Sequence, residues 1–365
     1  DVDSIINATL GNRTPLRQDK IESRVPVSIS ELKKTPRKFF DTPDIPIDSI
    51  YTWLDSESVK INETTGYNVY YLSYQIEEIE SFYTNTEGNC ASFTTAKTHF
   101  NTTIMKISEG QMSVPISFYF MDIEPFSPLS SRVCAPGVLS RLADNSQVEF
   151  VKLSGVTHFP GDVVSSILPG LAASFNIDLV LSGASFIRLS DIGKSLFDSA
   201  ISLIDDPLEF GNGKTCFSFD MEGTKAAKKP LIKEGIINDL LCDREKSQII
   251  SRLSPGNCFR ELPDINLKIT HSNLILSVDK NQGNFREVEN YLQGTGMQAF
   301  FDAGTGRVKG TAKGIRKNGD IRKTVYFSLD FSIKEFFSNC IQADSYNWVN
   351  GNYVPDIITD IKNEM

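Results

Sequence analysis

The chain has 365 residues, a formal net charge of −9 and 40% hydrophobic residues. That apolar content supports real cores and excludes a disordered chain, and the length is about twice the common domain size, so two domains are expected. The acidic balance argues against a general affinity for nucleic acid or anionic membrane.

The first fifty residues are polar and carry Pro15, Pro26, Pro36, Pro43 and Pro46, which predicts an irregular arm. From Tyr67 the pattern turns extended, because the aromatic run Tyr67-Asn-Val-Tyr-Tyr-Leu favours strand. Residues 80–89 read as strand, turn and strand, with Gly88 free to take a positive φ. Strands continue over 91–107 and 114–121, and a looser stretch over 125–144 precedes a change of character near Val151. Residues 163–187 are long enough to cross a bilayer and hold one charge, Asp178. Pro169, Gly170, Asn176, Gly183 and five serines weaken that reading, so a buried helix followed by a core strand is expected. Pro169 predicts a break or a late start in the helix.

Ile201 to Ile204 reads as a strand ended by Asp205-Asp206-Pro207. Strands then alternate with turns at Gly211-Asn-Gly, Glu222-Gly, Glu234-Gly, Gly304-Thr-Gly and Lys317-Asn-Gly-Asp, the last two being hairpin signals. Residues 331–341 read as a helix. The fold class expected is α+β in two domains. A smaller amino-terminal mixed domain covers 1–150, and a mostly antiparallel β domain with a few helices covers 151–365.

Local motifs yield no chemistry. The cysteines, at 90, 134, 216, 242, 258 and 340, form no Cys-x-x-Cys pair. A chain this long folds on its core alone, so reduced thiols in a reducing, cytoplasmic setting are expected. Sequons at Asn7, Asn12, Asn62 and Asn101 point the other way, but an Asn- and Thr-rich chain produces such triplets by chance. A zinc-hydrolase helix sets two imidazoles one turn apart beside a Glu base, whereas His99, His158 and His271 have no such companions. Gly-x-Ser-x-Gly is absent, and Gly211-Asn-Gly, Gly294-Thr-Gly and Gly304-Thr-Gly lack the Gly-Lys-Ser/Thr of a phosphate loop. Asp205-Asp206 reads as a strand-end cap. The basic run Arg307 to Lys323 could grip phosphates, but without interleaved aromatics it reads as a solvated hairpin.

Longer strings say more. The run from Phe219 to Asp243, with Asp220-Met-Glu-Gly, then Leu231-Ile-Lys-Glu-Gly-Ile and Leu241-Cys-Asp, resembles a segment of the TldD/PmbA family. Gly256-Asn-Cys-Phe-Arg260 resembles the Gly-Asn-x-x-Arg turn that comes after it. Thr305-Gly306 through Ala312-Lys-Gly to Asn318-Gly is similar to the family's late hairpin, and Val354-Pro matches its terminal proline. Thr84-Asn-Thr-Glu-Gly is similar to an earlier Asn-Ser-x-Gly turn. The match runs from about Val151 to the end.

The resemblance implies a family of two pairing branches. TldD-type subunits carry His-Glu-x-x-x-His on a helix and bind zinc; PmbA-type subunits, also called TldE, lack it. The helix should fall at 167–175, Ile-Leu-Pro-Gly-Leu-Ala-Ala-Ser-Phe, which holds no His, Glu or Cys, and Gly183-Ala-Ser-Phe resembles the PmbA branch. The implied function is a non-catalytic subunit of a zinc metalloprotease complex that processes unfolded peptides or leader segments. No cofactor is expected in this chain, zinc belonging to a TldD-like partner in a heterodimer, with a homodimer as the other arrangement. Asp220, Glu222, Gly223, Gly235, Asn257, Arg260 and Gly306 are the candidates to face a peptide cavity. Two alternatives are a regulator that binds a topoisomerase or nucleic acid, and a stand-alone hydrolase with an unrecognised site.

Overall fold

A computed structural model describes residues 46–84, 90–105, 107–108, 111–112, 116–121, 126–134, 149–207, 219–250, 253, 256–260, 267–280, 287–294, 297–319, 321–338, 340–343, 346–349 and 351–362. The amino-terminal arm to residue 45, the Gly211-Asn-Gly turn and the turn around Gly88 lie outside these.

The first described element is a helix that no sequence expectation named, α1 (Ile47–Thr65). It buries Trp53, Glu57 and Ile61, a stripe one turn apart at each step, and Gly66 closes it in the left-handed region with its N–H on Asn62 O. The stripe lies on an antiparallel sheet of β1 (Asn68–Thr84), β2 (Cys90–Met105) and, after the small hairpin of β3 (Ile107–Ser108) and β4 (Gln111–Met112), β5 (Ile116–Met121). Phe100, Ile104 and Phe118 supply the sheet's side of this core. Glu57 reaches across to accept the N–H of Ser130 at 2.6 Å in α2 (Leu129–Val133).

A second, larger core is drawn from residues 153–361. Its eight-stranded sheet contains β6 (Glu149–Lys152), β7 (Gly155–Phe159), β14 (Asn290–Leu292), β15 (Gln298–Asp302), β16 (Arg307–Asn318), β17 (Ile321–Ser332), β18 (Ile341–Gln342) and β21 (Ile357–Ile361). The order is β18-β21-β7-β14-β16-β17-β6, with β15 also beside β16. A six-stranded sheet contains β8 (Ile201–Asp205), β9 (Lys229–Lys233), β10 (Ile236–Ile237), β13 (Leu274–Val278), β19 (Asn347–Val349) and β20 (Asn352–Val354), in the order β10-β9-β8-β13-β20-β19. Strands β11 (Cys258–Arg260) and β12 (Leu267–Ile269) pair by themselves. With few helices among many strands, the α+β expectation holds. The Gly304-Thr-Gly and Lys317-Asn-Gly signals are the turns of the β15–β16 and β16–β17 hairpins.

Three expectations need correction. The proline does not break or delay its helix: α3 runs Gly161–Ala173 straight through Pro169. Pro169 has no N–H for the carbonyl of Ser165, and Asn352 Nδ2 donates to that carbonyl instead, at 3.3 Å, and to Ser165 Oγ at 3.0 Å. After α3 the chain forms a short helix, α4 (Ile177–Leu181), rather than a core strand, because the Asn176 side chain accepts the N–H of Asp178 at 2.8 Å and starts a new turn. The late helix is also shorter than read. Strand β17 continues to Ser332, leaving α6 (Ile333–Ser338) as a six-residue piece, the same length as the earlier α5 (Arg244–Ile249).

Helix α3 packs against β15 of one sheet and β19 and β20 of the other. Gly170 permits the approach, since a Cβ there would stand 2.3 Å from Cβ of Phe301. Asp356 fixes the helix start by accepting Gly161 N–H at 2.7 Å. Replacing Asn352 with Ala is expected to cost about 1–3 kcal/mol in urea unfolding, as a buried carbonyl loses its donor. In a Pro169→Ala background, where residue 169 supplies its own N–H, that cost should shrink, and a double-mutant cycle measures the difference.

Candidate functional site

The densest buried polar network lies where β8 ends against the start of β9. Asp205 and Lys229 are directly opposite each other in the two strands. Both are buried, at 1% and 4% exposure. Their side chains meet through a third. Asn257 Nδ2 donates to Asp205 Oδ2 at 2.6 Å, and Asn257 Oδ1 accepts from Lys229 Nζ. The other carboxylate oxygen of Asp205 accepts both the N–H and the hydroxyl of Ser272, at 2.7 and 2.5 Å. Lys229 also donates to Leu240 O at 3.3 Å.

Burial pushes the Asp205 carboxyl above its ordinary value, although Ser272, His271 and Asn257 oppose the shift. Burial likewise pushes the Lys229 ammonium down, against the pull of Asp239 and Asp205. Each charge is therefore tolerated through the groups gathered around it: Ser272, His271 and Asn257 for Asp205, and Asp239 ahead of Asp205 for Lys229.

The predicted site residues divide around this network. Asp220 lies beside it, buried, with Oδ1 accepting the N–H groups of Glu222 (3.0 Å) and Thr224 (2.9 Å) and Oδ2 that of Cys258 (3.1 Å). Burial raises its carboxyl, with those three donors opposing. Gly223 turns the chain at φ +72°, and its N–H returns to Asp220 O. Glu222 is half-buried and accepts Arg244 N–H at 2.8 Å at the start of α5. Burial raises its carboxyl, and the nearby charges of Asp220 and Asp243 add to the effect. Asp220 thus ties the Glu222-Gly turn to β11, and Glu222 ties the same turn to α5.

Asn257 is the candidate that joins the network itself. Gly235 is elsewhere, in the β9–β10 hairpin, where Glu234 (φ +49°) and Gly235 (φ +78°) form a turn with both φ positive. A Cβ on Gly235 would stand 2.4 Å from Phe197 O. Gly306 ends the β15–β16 turn against the Phe186 ring. Arg260 is in β11, and its side chain lies outside the described residues. Asp205, Lys229 and Ser272 were not among the predicted residues. The one signal for them is the double aspartate at a strand end, which taken locally reads as a cap.

The thiols of Cys242 and Cys258, next to the network, are pushed up to about 12 by burial, so they remain protonated and weakly nucleophilic near neutrality. Cys134, Cys242, Cys258 and Cys340 are free. Among the described residues no cluster of three or more His, Cys, Asp or Glu side chains could hold a metal ion. On α3, Ile167, Leu168 and Leu171 are buried in the apolar core, and no imidazole, thiolate or carboxylate comes after Asp162 on that helix. A zinc ion does not fit these residues. No helix is long and apolar enough to cross a membrane, among the described residues.

Residues 157–362 match the family model of the PmbA/TldA metallopeptidase C-terminal domain, a span that holds the whole network. A metalloprotease of Methanothermobacter thermautotrophicus is 31% identical over 87 residues, 24% of this chain and 18% of that protein. One of Archaeoglobus fulgidus is 34% identical over 90 residues, 24% of this chain and 20% of that one. The matches thus span a fifth or less of those proteins. Two solved structures share the fold. TldE from Thermococcus kodakarensis superposes with a TM-score of 0.74 at 13% identity, covering 90% of this chain and 76% of that one. A candidate modulator of DNA gyrase from Bacteroides thetaiotaomicron gives 0.72 at 15% identity, covering 99% and 82%.

Replacing Lys229 with Met removes the cation beside the buried Asp205 and Asp239 carboxylates and is expected to destabilise the fold by about 3–5 kcal/mol at pH 7. The raised carboxyl of Asp205 means that the native state takes up its proton more readily than the unfolded chain does. Its protonation on acidification removes the charge that Lys229 helped to balance, so the deficit should narrow as pH falls toward the ordinary carboxylate range. Urea unfolding of both proteins at pH 7 and pH 5 measures this. A deficit that widened at pH 5 would contradict the assignment.

Proposed function

This chain belongs to the PmbA/TldA metallopeptidase family, and from that premise we propose that it is a TldE-like, non-catalytic subunit. It pairs with a TldD-like, zinc-bearing homologue in the cytoplasm, and the pair cleaves unfolded peptides or leader segments. The observation that carries this reading is α3. Where the zinc branch of the family needs two imidazoles and a carboxylate on one helical face, this helix presents Ile167, Leu168 and Leu171 to the core. A helix packed in this way can position neighbouring strands but cannot activate water through a metal. The likeness to the Thermococcus TldE supports the same branch.

In the pair, this chain shapes the peptide-holding cavity, with zinc supplied by the partner. Asp220, Glu222, Gly223 and Asn257 support that wall through the turn they organise, and Glu222, half-buried with a raised carboxyl, is the group among them best placed to meet a peptide amide. Gly235, Arg260 and Gly306 are proposed for the same wall. The division into two domains near residue 150 belongs to this reading.

A second reading is suggested by the gyrase-modulator description of one structural neighbour. It requires binding to a topoisomerase or to nucleic acid, and the net charge of −9 disfavours the latter.

The test is co-expression with a homologue that carries His-Glu-x-x-x-His. A heterodimer with about one zinc per pair, and cleavage of an unfolded peptide only by the pair, is the expected result. Zinc-dependent cleavage by this chain alone, or no association at all, would sink the proposal. Glu222→Gln in the pair should lower cleavage while leaving the mass of the complex unchanged.

A further inference from the structure

The basic run from Arg307 to Lys323 forms the hairpin of β16 and β17, and strand alternation sends its residues to two faces. Val308 and Ala312 enter the core, while Arg307, Lys309, Lys313 and Lys317 point to the opposite face. Two of these cations are ion-paired within the chain, and a third stands near a carboxylate. Arg307 Nε binds Asp330 Oδ1 at 2.8 Å, Lys317 pairs with Glu287, and Lys309 lies close enough to Asp302 to lower that carboxyl.

Lys313 has none. It is 8% exposed, and among the described residues its ammonium has no hydrogen-bond or ion-pair partner. Burial pushes the ammonium below its ordinary value, and no charge among the described residues opposes the shift. The Nζ atom itself reaches the surface, where water meets it only in part, and a carboxylate arriving there would offset the hydration that burial has removed.

The surroundings indicate what completes it. Tyr326 is directly opposite in β17, and its ring stacks on Phe150 of the edge strand β6, with centroids 5.3 Å apart and planes at 21°. Phe150 is 72% exposed. On the other flank β15 pairs with residues 307–311 of β16 and β14 with 314–316, so Lys313 falls at the gap between them. The backbone bond from Gln293 N–H to Lys313 O, at 2.9 Å, spans that gap. A nucleic acid requires a row of free cations, and here Arg307 and Lys317 are already paired. One free cation in a cross-strand row with Tyr326 and the exposed Phe150 fits a single carboxylate flanked by apolar groups.

We propose that the outer face of the eight-stranded sheet around Lys313 is a docking site for one Asp or Glu side chain of a polypeptide segment, whose apolar neighbours cover Phe150 and Tyr326. The site belongs to this chain alone and stands whether or not the chain pairs with a zinc-bearing homologue.

The experiment uses the full chain and three peptides: one with Glu between apolar residues and both ends blocked, its Gln counterpart, and a Gln peptide with a free carboxy terminus. Anisotropy titrations at low salt should give the Glu peptide at least tenfold tighter binding than the Gln peptide. Lys313→Met, which keeps the apolar stem, should abolish that preference, while Lys323→Met, at an exposed position in the same hairpin, should retain it. In the wild-type protein, NMR titration of the lysine ε-methylenes should show one of the two depressed ammonium groups, Lys229 and Lys313, rising when the Glu peptide is added while the other stays in place. This readout does not depend on a variant folding. Equal affinity for the Glu and Gln peptides, equal loss in both variants, or an unmoved ammonium would overturn the proposal. Tighter binding of the free-terminus peptide than of the Glu peptide would overturn the choice of a side-chain ligand.

Discussion

The larger core depends on a charge pair that it cannot leave incomplete. Asp205 and Lys229 face each other at the joint of β8 and β9, within the six-stranded sheet. Neither is stable there as an isolated ion, and Asn257 joins them from a separate segment, 28 residues beyond Lys229. Through Ser272 the same carboxylate holds the residue that leads into β13. One buried carboxylate thus determines how four stretches of chain meet. Hydrophobic contact alone tolerates small slips in strand register, whereas this set of donors and acceptors is satisfied in one arrangement. Asp220 repeats the device on a smaller scale, with three backbone N–H groups on one carboxylate.

Helix α3 is held by a different means. Its proline removes a backbone donor in mid-helix, and the deficit is met from the far end of the chain, by Asn352, 187 residues from Ser165. Ser165 Oγ donates to Val349 O at 2.7 Å, and Asp356 holds the first N–H of the helix. The last strands are therefore what complete the helix. These contacts have high sequence separation, so the helix gains its full stability only when β19, β20 and the turn before β21 are in place. This explains how a stretch with a central proline and a glycine stays helical. Its irregularities are matched by Asn352 on one side and by the close approach of Phe301 to Gly170 on the other.

How far the sequence is legible depends on where the determining interaction lies. The hairpins at Gly304-Thr-Gly and Lys317-Asn-Gly were legible because turn chemistry is local: it needs a residue able to take a positive φ between two extended runs. Strand β8 was legible for a similar reason, with its end marked by Asp205-Asp206-Pro207. Helix α1 was passed over although Trp53, Glu57 and Ile61 have helical spacing, because a Glu in the apolar stripe obscures the pattern until Ser130 is seen to satisfy it. The uninterrupted α3 could not be deduced, since Pro169 argues against it and its remedy is remote in sequence. The same holds for the network. The family-like strings point to Asp220, Glu222 and Asn257, but nothing local in Ala226-Ala-Lys-Lys-Pro230 marks Lys229, which only its strand places opposite Asp205.

The two buried lysines show why composition is a poor guide to chemistry here. Lys229 and Lys313 are both in strands and both largely withdrawn from water, and burial lowers both ammonium groups. They differ in what faces them. Around Lys229 the chain has gathered Asn257, the carbonyl of Leu240 and the carboxylates of Asp205 and Asp239, so the group is complete within the fold. Lys313 faces Tyr326, itself stacked on Phe150, and among the described residues it has no acceptor, while Arg307 and Lys317 of the same strand have carboxylates. A cation whose partners are internal serves the architecture. One that burial has left without any is the better candidate for meeting something the chain does not itself contain, because only there does binding relieve an existing electrostatic cost.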